Sequence, residues 1–200
     1  MFDQVEVNRL PRPARHDREM LVATARDLFW RQGWAGTSLK DLEQALDMRP
    51  GSFYAAFGSK DRLYALALDR YTADGAARLE ELRARHGPLG GLKAHLHALA
   101  SDPAPARACM LVKTLLEAPE GPLLDHAAAA LTAMEARFEA LFRAAQEAGE
   151  IAPHHDPARL ARRHQSDVTG LRATVERPDI DGPALAAEMA AGLDALAEPS

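Results

Sequence analysis

The 200-residue sequence contains a single cysteine, Cys109, so the chain cannot form an internal disulfide. Chains without disulfides are typical of reducing compartments. No apolar run approaches the roughly 20 residues needed to cross a bilayer. The sequence also does not open with the basic segment and apolar stretch of a secretory signal. We therefore expect a cytoplasmic protein that does not associate with a membrane.

The sequence also lacks the short motifs that mark common catalytic sites. It has no serine nucleophile elbow, no phosphate loop, no paired cysteines and no Glu-x-x-His pair of the kind that holds metal in helical bundles. His95 and His97 are two residues apart, so a helix would place them on different sides, and we expect both to be solvated. Asp156 precedes Pro157 and is better explained as a helix cap than as a metal ligand. We expect no enzymatic activity, no cofactor and no metal site.

Residues that favour strands are scarce, whereas Ala, Leu, Arg and Glu are abundant. No stretch alternates apolar and polar residues with the period of a strand. The sequence predicts an all-α fold in which a basic, flexible arm (1–14) precedes a three-helix head (15–58) and a helical body (59–200). Glycine and proline positions divide the chain into about nine predicted helices, at 16–32, 38–46, 50–57, 59–86, 92–100, 104–118, 122–148, 157–176 and 183–198.

The net charge of −5 is unevenly divided along the chain. Residues 9–60 hold nine Lys and Arg against six Asp and Glu, whereas residues 61–200 hold fifteen against twenty-one. A mildly basic segment followed by an acidic one is typical of a DNA-reading domain joined to another module. Many proteins that bind no nucleic acid have a gradient as small, so the charge alone only favours this interpretation.

Residues 37–57 have the pattern of a helix-turn-helix. Two short helices with a tight turn bury little by themselves, so we expect Phe29 and Trp30 of the preceding helix to form a third wall. The outward residues of the second short helix are small or polar, as a helix that enters the major groove requires. Apolar residues recur at helical spacing along the inner face: Leu39, Leu42, Leu46, Phe53 and Phe57.

The run PGSFYAAFGSKDRLY (50–64), with GTSL (36–39) before it, resembles the DNA-binding head of the TetR/AcrR family of transcriptional regulators. The match covers about residues 15–71. The resemblance implies that Thr37 and Lys60 contact phosphate, that residues 50–52 face base edges, and that Tyr54 reaches a phosphate or a base. The implied DNA-binding residues are Thr37, Ser38, Arg49, Pro50, Gly51, Ser52, Tyr54 and Lys60.

Three positions depart from the family pattern. Lys40 stands where the family often has an acidic residue that closes a capping box on Thr37, so we expect one reciprocal hydrogen bond to be lost. Asp47 replaces the usual turn glycine, and Asp tolerates the left-handed conformation better than most residues. Arg49 stands where a capping serine is common, which leaves it as a missing cap, a phosphate contact or a base contact. The alternative for this segment is a three-helix packing unit that binds no DNA.

The last two predicted helices each carry an apolar stripe. In the family the corresponding helices pair with those of a second subunit, so the resemblance implies a homodimer. The alternative is that these stripes close the core of one subunit. The predicted interface residues are Leu160, His164, Val168, Leu171, Leu185, Met189 and Leu193.

The runs 109–117 and 141–150 are similar to a subgroup of the family that includes the NemR and AcuR repressors. In that subgroup a cysteine near the start of the sixth helix lies beside the effector cavity. Cys109 and Lys113 would share one helix face, where the ammonium would make the thiol more reactive. Cys109 is then a reactive sensor, a residue packed beside a cavity, or an ordinary core residue. The predicted effector-binding residues are Tyr71, Cys109, Met110, Lys113, Phe138 and Phe142.

These features together predict a transcriptional regulator, by family default a repressor. It would bind a palindromic operator in double-stranded DNA as a homodimer, and an apolar or amphipathic small-molecule effector would release it by moving the helix that starts at Ser59. Two alternatives come from other classes. A non-sensing architectural DNA-binding protein would need more positive charge, and an all-helical enzyme would need the catalytic motifs that are missing.

Overall fold

The computed structural model describes residues 15–197, and in that range it contains eight α-helices and no strand. The all-α class is therefore confirmed. The predicted arm at residues 1–14 lies outside the described residues. The helices are α1 (Arg15–Gly36), α2 (Leu39–Ala45), α3 (Pro50–Phe57), α4 (Lys60–Ser101), α5 (Met110–Glu117), α6 (Pro122–Glu147), α7 (Pro157–Thr174) and α8 (Gly182–Gly192), followed by a short 3-10 helix at Asp194–Ala197.

The helix count is eight rather than nine because two predicted helices are joined in α4. Only Gly87 leaves helical geometry (φ 76°, ψ −179°), and Pro88 starts the next turn. Proline is tolerated in a first turn because its missing N–H would have no partner there. The chain therefore bends at Gly87 instead of forming a loop. Within residues 15–197 no helix is both long and apolar enough to span a membrane.

The sequence predicted that this helix begins at Ala104, whereas α5 begins at Met110. Residues 102–109 form an irregular connection, and Pro103 and Pro105 supply no backbone N–H with which to extend a helix. Cys109 is therefore the N-cap residue of α5 and lies outside its regular turns. The interpretation of Asp156 as a cap is confirmed, because its carboxylate accepts a hydrogen bond from the Ala158 N–H at 3.0 Å.

The buried side chains form two clusters. One cluster joins the head (α1–α3) to the body (α4–α8), because Phe29 and Phe53 pack together with Tyr64 and Met110. The other fills the far end of the body, where α4 and α6 pack with α7 and α8 around Phe138. The head therefore shares a continuous apolar core with the start of the body.

The predicted dimer stripe divides into two groups in the structure. His164, Val168 and Leu171 are only 2%, 8% and 1% exposed, because α7 packs across α6 and α4. The burial of these three residues within one subunit favours the alternative that this part of the stripe closes the core of the subunit. The remaining four are half-buried at the edge of that core: Leu160, Leu185, Met189 and Leu193.

Candidate nucleic-acid interface and candidate ligand cavity

Helix α2 begins with a complete capping box, although the sequence indicated that one bond would be lost. The N-cap residue is Ser38, whose hydroxyl accepts from the Asp41 N–H at 3.2 Å. The Asp41 carboxylate in turn accepts from the Ser38 N–H at 2.8 Å. The Ser38 hydroxyl also donates to the Asp41 carboxylate at 2.6 Å, and this bond together with that from the Ser38 N–H holds the pKa of Asp41 below its usual value. The box lies one residue later than predicted, so Lys40 does not interrupt it.

Thr37 lies inside the head. It is 1% exposed, and its hydroxyl donates to the Gly33 carbonyl at 2.7 Å. Gly33 has φ 78°, so α1 loses helical geometry there and its carbonyl is free to accept this bond. A buried hydroxyl has no surface to offer a phosphate. The phosphate contact predicted for Thr37 is therefore not available in this conformation.

The turn between α2 and α3 is built on a left-handed residue. Asp47 has φ 50° and is the one non-glycine with positive φ among residues 15–197, which confirms the expectation for this position. The Met48 N–H then donates to the Glu43 carbonyl at 2.9 Å and closes the turn. Arg49 is the N-cap residue of α3, is exposed, and makes no side-chain capping bond. Its guanidinium is not used to start the helix.

Helix α3 has one apolar face and one open face. Phe53 and Phe57 are 0% and 3% exposed in the shared core, whereas the adjacent Tyr54 is 49% exposed. Gly51 is also exposed, and a Cβ added to it would meet no atom within 4 Å. The fold of the subunit therefore does not require a glycine at position 51.

The start of α4 brings a cation to the same end of the head. Ser59 caps the helix by accepting from the Arg62 N–H at 3.1 Å. The Lys60 ammonium lies 4.5 Å from the centroid of the Trp34 ring, and the Trp34 indole donates to Asp61 at 2.9 Å. Partial burial lowers the pKa of Lys60, and the nearby Asp61 carboxylate partly offsets this. Of the eight predicted DNA-binding residues, seven are exposed or half-buried, and Thr37 is buried.

Trp30 does not form the wall of the helix-turn-helix that the sequence predicted. Phe29 does face the head core, with its ring edge-on to Tyr64 at 4.7 Å. Trp30 lies on the body side, where its indole donates to the Ala108 carbonyl at 2.8 Å and its ring stands edge-on to Tyr71 at 4.9 Å. Trp30 thus ties α1 to the irregular segment before α5.

A cavity of about 250 Å³ lies where Trp30 meets the body. Of the six predicted effector-binding residues, Tyr71, Cys109 and Phe138 line it. Its apolar lining also includes Leu99, Leu111, Leu131, Met134 and Val168.

Three of the predicted effector-binding residues lie elsewhere. Met110 is fully buried in the core shared by head and body. Phe142 lies in the second cluster and lines a different groove, between α7 and α8. The Lys113 ammonium donates to the carbonyls of Trp30 and Arg31 at 3.0 and 3.3 Å. The expected pairing of this ammonium with the thiol is therefore wrong.

Cys109 instead has a phenol as its neighbour. The Tyr71 hydroxyl donates to the Cys109 sulfur at 3.5 Å, and the thiol is half-buried at the cavity wall. Burial raises the pKa of Tyr71 well above its usual range, so the phenol stays protonated and remains a donor.

The cavity residues that the sequence analysis missed include two buried ionisable side chains. His95, which was expected to be solvated, is 8% exposed, and burial lowers its pKa to about 3. Arg172 is 9% exposed, and its Nε donates to the Arg107 carbonyl at 2.8 Å. A signal was present in the sequence, because Gln165 and Arg172 are spaced by two helical turns within the apolar stripe of α7.

A groove of about 340 Å³ separates α7 from α8 on the outside of the body. Four of the predicted interface residues line it: Leu160, His164, Met189 and Leu193. His164 is buried, and the other three are half-buried. Among residues 15–197 no group of three or more His, Cys, Asp or Glu is placed to hold a metal ion.

Two family models match the chain. The model for bacterial regulatory proteins of the tetR family matches residues 21–67, and the tetracyclin repressor-like C-terminal domain model matches residues 89–173. The chain is 30% identical to the HTH-type transcriptional repressor ComR of Escherichia coli strain K12 over 157 residues, 75% of each chain. It is 38% identical to the repressor NemR of the same strain over 68 residues, 34% of each chain.

Solved structures agree along nearly the whole length of the chain. A TetR-family transcriptional regulator from Rhodococcus sp. superposes with a TM-score of 0.77 over 92% of this chain and all of the other, at 18% identity. A cysteine-substituted CifR, solved with a 26-base-pair operator, superposes with a TM-score of 0.76 over 93% of this chain and 98% of its own, at 27% identity. The chain belongs to the TetR family of DNA-binding, helix-turn-helix transcriptional regulators.

Proposed function

We propose that this chain is a cytoplasmic repressor that binds a palindromic operator as a homodimer and leaves it when a small molecule enters the cavity beside Trp30. Two heads would read half-sites about 34–36 Å apart, one helical turn of DNA. The comparisons identify a DNA-binding regulator. The dimer, the contacts and the ligand response are proposals.

The observation that carries the DNA-binding face is the empty space around Gly51. Nothing in the subunit lies within 4 Å of a Cβ built there. The fold gains no contact from a glycine at this position. Because Gly51 lies on the outward face of α3, its missing side chain would let a partner approach the backbone closely there. The exposed Tyr54 and Arg49 and the half-buried Lys60 lie in the same part of the head and would supply the polar contacts.

The ligand response is supported by the position of the cavity between head and body. Arg26 and Trp30 belong to α1, and both line the cavity beside residues of α4, α6 and α7. A ligand there would contact the head directly, in addition to any movement of α4. An effector that fits one head position better than the other shifts the population of the dimer. Operator DNA must then weaken effector binding by the same factor.

The dimer is supported by the apolar residues left half-buried along the α7–α8 groove. Met189 and Leu193 line this groove, pack at the edge of the core and remain partly open. In solution we expect a particle of twice the 21.7 kDa chain mass, measured by light scattering. A Met189→Glu variant that melts near the wild-type temperature should be monomeric and should bind a full operator much more weakly. A monomeric wild-type protein would exclude this arrangement.

The DNA-binding face is tested by Gly51→Ala, which the subunit accommodates without a clash. The operator would first be selected from a random DNA pool, and affinity then measured by fluorescence anisotropy at fixed salt. We expect Gly51→Ala to melt no lower than wild type and to bind at least about tenfold more weakly. Tyr54→Phe and Lys60→Ala should also weaken binding. Lys60→Ala should in addition reduce the slope of log affinity against log salt concentration by about one.

The matched control is Gly170→Ala in α7, where an added Cβ also meets nothing within 4 Å. It should bind the operator like wild type at an unchanged particle mass. If Gly51→Ala binds the operator as tightly as Gly170→Ala, residue 51 does not face DNA.

Cys109 is proposed as a sensor of electrophiles, on the ground that its half-buried thiol lines the cavity beside the Tyr71 phenol. An enal or a quinone would alkylate the sulfur and fill the cavity. The protein would be treated with such an electrophile and its operator release compared with that of Cys109→Ser. A Cys109→Ser variant released at the same electrophile concentration would exclude this role.

A further inference from the structure

One face of α7 presents a graded series of side chains to the cavity. Gln165, Val168, Thr169 and Arg172 all line it, at the i, i+3, i+4 and i+7 spacing of a single helix face. Gln165 and Arg172 are about 10 Å apart along the axis at 1.5 Å per residue. The face thus runs from an amide, through an apolar side chain, to a guanidinium.

The guanidinium at one end is buried and lacks an acidic partner. Arg172 donates to the carbonyls of Arg107 at 2.8 Å and Ala108 at 3.5 Å, and no carboxylate in residues 15–197 lies within ion-pair distance of it. Three other arginines line the cavity: Arg26 pairs with Asp74, Arg78 pairs with Asp102, and Arg107 is half-buried and donates to the Asp102 carbonyl at 2.9 Å. Arg172 is the one of the four that is buried, and it has no acidic partner among residues 15–197.

Aromatic rings compensate that charge only in part. The guanidinium carbon of Arg172 lies 5.3 Å from the Trp30 ring centroid and 5.9 Å from that of Tyr71. Cation–π contacts are weaker than a hydrogen-bonded ion pair with a carboxylate, which can accept two parallel N–H bonds. An anion in the cavity would meet a cation that is already desolvated and already oriented.

The other end of the face has buried polar atoms without hydrogen bonds. The Gln165 Oε1 and the His95 Nδ1 have no partner among the described residues, and both residues line the cavity. Burial keeps His95 neutral, because it lowers the pKa of this histidine to about 3. A buried acceptor without a partner is costly, so this end favours an uncharged donor such as a hydroxyl.

The space between the two ends is apolar and small. Leu99, Leu131, Met134 and Phe138 line it. An apolar cavity of about 150 Å³ holds benzene, so the 250 Å³ cavity accommodates about ten non-hydrogen atoms. That volume suits a small molecule held between the two polar ends.

We propose that the ligand of this cavity is a small hydroxycarboxylate, with its carboxylate on the Arg172 guanidinium, an apolar body along Val168, and its hydroxyl at Gln165 and His95. The assignment rests on the proposed function only in calling this ligand the effector. A cation would be repelled by Arg172, and a fully apolar molecule would leave the polar atoms at both ends without partners.

The test compares four compounds of similar shape that differ in the carboxylate and in the hydroxyl: 4-hydroxyphenylacetate, phenylacetate and the amide of each. Binding to the DNA-free protein would be followed by calorimetry and by the fluorescence of Trp30, which lines the cavity. We expect 4-hydroxyphenylacetate to bind at least about tenfold more tightly than its amide. We expect it to bind severalfold more tightly than phenylacetate. A parallel set of 8-hydroxyoctanoate, octanoate and their amides covers a flexible body.

Substitutions locate each preference. Arg172→Met should abolish the preference for acid over amide, whereas Arg177→Met, which removes an exposed cation one turn away, should retain it. If Arg172→Met does not fold, Arg172→Lys keeps the charge and should retain a reduced preference. Gln165→Leu should remove the gain from the hydroxyl.

The proposal is overturned if no member of either set binds below about 5 mM, or if acids and amides bind alike. It is also overturned if the hydroxyl gives no gain, or if the acid preference survives in folded Arg172→Met. These readouts need no DNA. An acid that binds as expected without releasing the operator would contradict the proposed regulation and leave the ligand assignment standing. Operator release caused only by unrelated molecules would contradict the ligand assignment and leave the proposed regulation standing.

Discussion

The head and the body of this regulator bury different kinds of side chain. In the head the fully buried groups are apolar, as Phe29 and Phe53 are, and the buried Thr37 hydroxyl has a hydrogen-bond partner. In the body, the buried side chains around the cavity include His95, whose Nδ1 has no hydrogen-bond partner among the described residues, and Arg172, which has no acidic partner among them. The head keeps its polar groups on the surface, and the body encloses some of them.

This difference fits the two kinds of recognition that we propose for the chain. DNA is a large external partner, so the head can satisfy its own interior and present donors outward. A small molecule must be enclosed to be bound well, so its hydrogen-bonding partners have to be buried before it arrives. Unpaired buried polar groups reduce the stability of the folded protein. Substituting or protonating such groups in the cavity should therefore change stability in a way that the apolar core of the head does not.

The largest effect is expected in the head core. Phe53→Ala should lower the free energy of unfolding by about 3–5 kcal/mol, because it empties a fully buried ring position, as measured by chemical denaturation. Tyr54→Ala, at the adjacent exposed position, should change stability by less than about 0.5 kcal/mol while weakening operator binding. If both variants lose similar stability, the division of α3 into an inner and an outer face is wrong.

The next effect concerns the body and depends on pH. Burial lowers the pKa of His95 to about 3 and that of His164 to about 4, from an ordinary 6.5. Below pH 6.5 the unfolded chain binds protons that the folded chain does not, so stability is full above pH 6.5 and falls as the pH drops towards 4 and then 3. Each histidine should remove about 2 kcal/mol between pH 7.5 and pH 5, measured by denaturation at both values.

His95→Leu should reduce that pH dependence by about half. His97→Leu is the matched control, because His97 lies two residues away on the same helix and is exposed. It should leave the dependence unchanged. If the pH dependence of stability is unchanged in His95→Leu, this histidine is hydrated in solution. The body would then lack the buried histidine that sets its interior apart from that of the head.

A smaller effect is expected at the contact between head and body. Lys113→Met removes an ammonium that donates to two carbonyls near the end of α1, and we expect a loss of about 1–2 kcal/mol. Lys93→Met breaks a surface pair with Asp194 and should cost less than about 0.5 kcal/mol. Equal losses would mean that the Lys113 contacts do not hold the head to the body.

The smallest effect returns to the head surface. Ser38→Ala removes the N-cap of α2 and should destabilise the protein by about 1 kcal/mol. Lys40→Ala should be near neutral, since the capping box uses Ser38 and Asp41. Thermal melts of the two variants test this capping box. A capping box on Thr37 would instead predict that Lys40→Ala changes stability and that Ser38→Ala does not.

The sequence predicted the head in more detail than the cavity. The positions of Phe53, Asp47 and Pro50 depend on contacts within a few residues, and local periodicity and turn chemistry determine such contacts. The register of the capping box was missed by one residue, because Ser38 and Thr37 are both suitable caps. Cys109 was placed inside a helix because alanines dominate 104–108, whereas two prolines and the Trp30 contact keep this segment irregular.

By itself the sequence determined the all-α class and the helix-turn-helix, because helical periodicity and the TetR-like motif are local properties of the chain. Only the tertiary structure decided that Trp30 and His95 belong to one cavity, that Lys113 binds α1 and not the thiol, and that His164 closes the core. These outcomes depend on which helices pack together, and an apolar stripe with an isolated polar residue has the same pattern whether it faces a core, a ligand or a second subunit.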